Sequence, residues 1–91
     1  MNVQQGISQT VEAELAARRK TKTDLAETLG ITRKNLYQRL ANHVSWSVND
    51  LEEVSSFLGM SYWQLMDSAE QRIYQQKMAP VAAGASKTQG R

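Results

Sequence analysis

Apolar positions recur at helical spacing through most of the chain, and polar caps separate the runs. Ile7, Val11 and Leu15 fall four residues apart, which predicts an amphipathic first helix over about Ser8 to Arg19. Four later helix starts share one chemistry. Thr21 with Asp24, Ser47 with Asp50 and Ser61 with Gln64 each put a hydroxyl at a helix start and a carboxylate or amide three residues on. These pairs can satisfy backbone N–H groups that have no partner inside a helix. Thr32 caps the remaining start. Gly30 and Gly59 follow apolar runs, where a residue tolerant of positive φ ends a helix. The pattern thus predicts helices over about Lys22 to Leu29, Arg33 to Ala41 and Val48 to Leu58. A fifth starts at Tyr62, reaches about Met78 and is stopped by Pro80.

No stretch alternates in the manner of a strand. The expected fold is all-α, a compact bundle of five helices containing a helix-turn-helix at residues 21–41. It forms one domain over residues 1–79, followed by a disordered, flexible tail over residues 80–91 that is rich in alanine, glycine and polar residues. On the fifth helix Tyr62, Met66, Ala69 and Ile73 recur at helical spacing, with Trp63 and Tyr74 beside them. Beyond Asp67 no later element of the chain remains to cover this stripe, so it either meets a second subunit or folds back on the first helix. On the first alternative Trp63, Met66, Ile73 and Tyr74 are the dimerisation residues.

Composition narrows the chemistry. A chain of 91 residues holds one small core, too little for a two-lobed active site. There is no cysteine, which removes disulfides, thiolate zinc sites and cysteine nucleophiles together. His43 is the only histidine, and it reads as a solvent-exposed loop residue, since no second ligand lies at a metal-binding spacing. Glu52 and Glu53 are adjacent on a helix and point apart, so they make no acid/base pair. With no nucleophile, base and orienting group to propose together, no enzyme activity and no cofactor is expected. No apolar run approaches the ~20 residues of a membrane helix, and the first residues do not read as a signal peptide. A cytoplasmic protein with no membrane partner is expected.

The net charge of +2 conceals a polarised chain. Residues 18–39 carry a balance of +5 and residues 40–71 carry −5. A polyanion is the natural partner of the basic segment, against the plainer alternative of ordinary solvated helix faces. Within it, Thr21 to Leu40 suits two short helices that cross steeply. Ala26 permits close approach, Gly30 the tight turn, and Leu25, Leu29, Ile31, Leu36 and Leu40 supply the apolar seam. That seam leaves Arg33, Lys34, Tyr37 and Gln38 pointing outward from the third helix, with groups able to hydrogen-bond base edges. Tyr37 suits surface packing, a thymine methyl or a phosphate equally. Arg18, Arg19 and Lys20 suit either the negative end of the first helix or a phosphate.

These residues resemble the λ-repressor-like helix-turn-helix family, the Xre or Cro/repressor type. The likeness continues through Trp46 to Met66, with its serine caps and leucine-glycine-apolar-serine junction, and covers about 60 residues. It implies a λ-repressor-like DNA-binding domain whose third helix lies in the major groove of double-stranded DNA. It also implies a homodimer on a two-fold operator with half-sites about one helical turn apart. The family's base-reading positions fall on Arg33, Lys34 and Gln38, with Thr32 and Tyr37 beside them. Lys22 and Asn42 fall at positions that touch the DNA backbone, and Arg39 joins the DNA-contacting set. One position departs, since the family usually has an apolar residue where Arg39 stands.

The function these readings imply is a sequence-specific transcriptional regulator, a phage or bacterial repressor or Cro-like protein that acts in the cytoplasm by occupying an operator. Four to seven cations on phosphates predict a slope of log affinity against log salt of roughly −4 to −6 per subunit. The alternative is a protein-interaction module, such as an antitoxin-like subunit that grips a protein partner through the fifth helix.

Overall fold

The computed structural model describes residues 2–89, with side chains over 2–75. Five helices follow in order: α1 (Val3–Ala17), α2 (Lys22–Leu29), α3 (Arg33–Leu40), α4 (Val48–Leu58) and α5 (Tyr62–Gln89). No strand occurs among the described residues. The expected caps are in place. Thr21, Thr32, Ser47 and Ser61 each accept the N–H three residues on, at 3.0 to 3.1 Å, and at Ser47 and Ser61 the reciprocal bond from Asp50 or Gln64 completes the box. Gly30 and Gly59 close α2 and α4 at φ 71° and 74°, where a side chain would be strained.

Both ends of the chain differ from expectation. α1 begins before Ser8, because Asn2 and Gln5 build a capping box from two amides, with bonds of 2.9 and 2.8 Å. It ends at Ala17 and turns through Arg19 at φ 58°, with Lys20 N donating to Leu15 O at 2.9 Å. α5 passes Pro80, the expected stop, and its backbone continues to Gln89. Proline already holds the helical φ and forfeits one intrahelical bond there, while Ala79, Ala82, Ala83 and Ala85 around it are strong helix formers. The side chains of the expected tail lie outside the described residues.

α1 is the spine of the bundle, packed against α3, α4 and α5. Ile7, Val11 and Leu15 on its inner face meet Leu25, Leu36, Leu51, Val54, Leu58 and Leu65, all buried. Each such side chain stabilises the fold by roughly 1.5 to 3 kcal/mol. α1 and α5 approach most closely at Gly6, where an added Cβ would stand 2.7 Å from the Ala69 carbonyl oxygen and 3.1 Å from Ile73 Cγ1. Arg72 Nε reaches across the same seam to Thr10 Oγ1 at 2.9 Å. The apolar stripe of α5 therefore folds back on α1 through Ala69 and half-buried Ile73, the second of the two alternatives. Met66 is half-buried against the core. Trp63 and Tyr74 remain 76% and 63% exposed.

Candidate nucleic-acid interface

α3 buries Leu36 completely and half-buries Leu40, so Arg33, Lys34, Tyr37 and Gln38 are carried on its outer side. They line one shallow hollow together with Ala41 and His43. The spacing of 33, 34, 37, 38 and 41 is that of a single helix face. Lys34 makes no ion pair among the described residues.

Tyr37 is held between two cations. Arg33 Nη2 donates to Tyr37 Oη at 3.4 Å and its guanidinium lies 5.9 Å from the ring centroid, while Lys22 Nζ lies 5.7 Å from the same centroid. The Arg33 hydrogen bond and charge hold the phenol below its ordinary value, and the same hydrogen bond raises the guanidinium above its own. Lys22 is in turn tied to Glu12 of α1 at 3.2 Å. Glu12, Lys20, Lys22, Thr23 and Tyr37 border a second hollow, which shares Tyr37 with the first. Lys20 Nζ also sits 4.6 Å over the Phe57 ring.

Thr32 and Asn42 bracket the face and both have internal partners. Thr32 Oγ1 accepts from Asn35 N as the α3 cap. Asn42 turns the chain at φ 67° and its amide lies 2.8 Å from Ser8 Oγ. Asparagine is among the few residues that tolerate this conformation.

Arg39 does not join the outer face. Its Nε donates to Asp50 Oδ2 at 3.0 Å, the two side chains being 18% and 16% exposed, and its Nη1 donates to Asn35 O. Burial alone would raise the Asp50 carboxyl, but the Ser47 N–H and the Arg39 guanidinium outweigh it and hold the group below its ordinary value. The departure at position 39 thus has a structural reason, the ion pair with Asp50.

His43 is an exposed loop residue, and it also stands at the edge of the α3 hollow. The turn at Asn42 brings it back, and its N–H donates to Gln38 O at 2.8 Å. No sequence spacing announces that return. Among the described residues no group of histidine and carboxylate side chains could hold a metal ion, and no helix is long and apolar enough to cross a membrane.

No family model matches the chain, and no curated protein matches it. Among solved structures it is similar to the crystal structure of the clp gene regulator ClgR from Corynebacterium glutamicum. The TM-score is 0.74 at 18% identity, over 93% of this chain and 95% of that chain. The five-helix architecture, with α2 and α3 joined through Gly30, is therefore a fold that a gene regulator also uses.

Proposed function

We propose that the protein is a sequence-specific double-stranded DNA-binding transcriptional regulator of the Xre or Cro/repressor type. It acts in the cytoplasm of a bacterial or phage-infected cell by occupying an operator. The observation that carries this reading is the presentation of exposed Arg33, Lys34 and Tyr37, with half-buried Gln38 beside them, along one hollow on a short helix whose other face is locked into the core. Arginine and glutamine can each pair bidentately, with guanine and with adenine, at roughly 1 to 3 kcal/mol of discrimination per pair. In this reading Lys22, Lys20, Asn42 and the Thr32 end of α3 meet phosphates. The name of the neighbouring regulator, ClgR, agrees with such a role.

An operator read by a two-fold pair needs a second copy. Trp63 and Tyr74, with half-buried Met66, are apolar side chains on α5 that suit that pairing. The same exposed aromatics also favour a second reading, in which α5 grips a different protein.

Selection of bound duplexes from a random pool tests the first reading, and a two-fold-symmetric consensus is the expected result. With Arg39 paired to Asp50, six of the seven clustered cations remain, and four to six of them on phosphates give a salt slope of roughly −4 to −5 per subunit. A slope near zero, or an Arg33→Ala/Lys34→Ala variant with undiminished affinity, would leave the protein-binding reading standing instead.

A further inference from the structure

We infer that Ser8, on α1, is a positioning residue that fixes the C-terminal end of α3 and so sets which bases the outer face can reach. The inference rests on the DNA-reading proposal above, and it concerns a residue that touches no DNA.

The argument starts from one hydroxyl with three partners. Ser8 is 3% exposed, and its Oγ lies 2.9 Å from Trp46 Nε1, 2.9 Å from Arg39 O and 2.8 Å from the Asn42 amide. A serine hydroxyl carries one proton and two lone pairs. Indole N–H can only donate, and a carbonyl can only accept, so Trp46 takes one lone pair and Arg39 O takes the proton. As placed, Asn42 turns Oδ1 to Ser8 and competes with Arg39 O for that one proton; turning the amide about presents NH2 to the remaining lone pair instead. All three contacts are then satisfied with nothing left over.

What these partners have in common is the exit from α3. Arg39 O, among the last helical carbonyls, accepts from Asn42 N at 3.0 Å as well as from Ser8, so the hydroxyl joins the turn that ends α3. Asn42 is the left-handed residue that reverses the chain, and Trp46 ends the loop before α4. One helical turn before Ser8, Gln4 holds the backbone of Trp46, accepting from its N–H at 2.6 Å and donating to its carbonyl at 3.4 Å. Two side chains of α1 thus grip the loop by backbone, indole and amide. α3 has only eight residues. Its N-terminal end is set by the Thr32 cap and the Gly30 turn, so its tilt is decided at the other end, beside Gln38, whose carbonyl accepts from both His43 N and Val44 N. A clamp lost there swings Gln38 and His43 further than Arg33, which degrades the reading of bases more than the attraction of phosphates.

The test compares Ser8→Ala, Ser8→Thr and Trp46→Phe with the wild-type protein. Affinity is measured for a duplex selected from the random pool and for a scrambled duplex of equal length, together with NMR exchange of the Trp46 indole N–H. Ser8→Ala should speed that exchange and lower the selected-to-scrambled affinity ratio about tenfold, with affinity for the scrambled duplex kept. Ser8→Thr, which keeps the hydroxyl, should restore both. Trp46→Phe keeps the ring and removes the donor, and should lower the ratio in the same way even where Ser8→Ala folds poorly. An unchanged ratio in Ser8→Ala or Trp46→Phe overturns the inference, as do affinities for the two duplexes that fall together. If the wild-type protein selects no duplex, the DNA reading itself has failed and this inference falls with it. That failure is visible before any variant is compared.

Discussion

Arg39 on the third helix and Asp50 in the first turn of the fourth meet at 3.0 Å across the intervening loop. The same carboxylate oxygen accepts the Ser47 N–H at 3.1 Å. One group therefore caps α4 and ties α3 to it, and an arginine stands where an apolar residue would only have packed.

That arrangement makes part of the stability acid-sensitive. The Asp50 carboxyl is held below its ordinary value in the folded chain, so its contribution is fully present above the ordinary aspartate range and is lost as pH falls through the folded value. Asp50→Asn should destabilise the protein by about 1 to 3 kcal/mol at pH 7. In denaturation curves from pH 7 to pH 3, the gap between variant and wild type should begin to narrow as pH falls past about 3.8, the ordinary aspartate value.

Tyr37 gives the outer face of α3 a response at the opposite end of the scale. Its phenol is lowered by Arg33, whose own charge persists, so the hydroxyl ionises before pH 10 and sets a negative charge among the groups proposed to meet DNA. Affinity for a selected duplex should fall about three- to tenfold more between pH 8 and pH 10 in the wild type than in Tyr37→Phe. Lysine deprotonation affects both proteins alike, and equal losses would remove Tyr37 from the proposed interface.

Glu12 restrains Lys22 through a 3.2 Å pair on the rim of the same face. Both side chains are substantially exposed, so Glu12→Gln should change folding stability by less than about 1 kcal/mol. It should nevertheless strengthen DNA binding several-fold and steepen the salt slope by about 1, because Lys22 is released and a charge facing phosphate is gone. A fluorescence titration at several salt concentrations reads both effects.

Gly6→Ala separates helix propensity from packing. Alanine is the better helix former by about 1 kcal/mol, but its Cβ would stand 2.7 Å from the Ala69 carbonyl, a backbone atom that cannot rotate away. The expected outcome is a net loss of about 1 to 2 kcal/mol in urea denaturation. A gain would mean that α1 and α5 can separate freely.

The bounds of α2 and α4, and the caps at Thr21, Thr32, Ser47 and Ser61, were legible because each depends on a few neighbouring residues. So was the outer face of α3, since Leu36 and Leu40 fix its inward side. What was hidden depends on the three-dimensional meeting of distant residues. Arg39 reads as another member of a basic cluster until Asp50 is seen beside it. Whether Ile73 meets a second subunit or the first helix stays open until Gly6 is found opposite, because a missing side chain leaves no mark in a hydrophobic pattern. The start of α1 was obscured for a chemical reason, its capping box being made of asparagine and glutamine rather than a hydroxyl and a carboxylate.

The opening two turns of α1 hold more of the molecule than their place suggests. Asn2 starts the helix, Gln4 and Ser8 seize the loop behind α3, Gly6 admits α5, and Ile7 fills the core. Trimming this stretch as though it were a dispensable leader would cut three attachments at once, so purification handles belong at the opposite terminus.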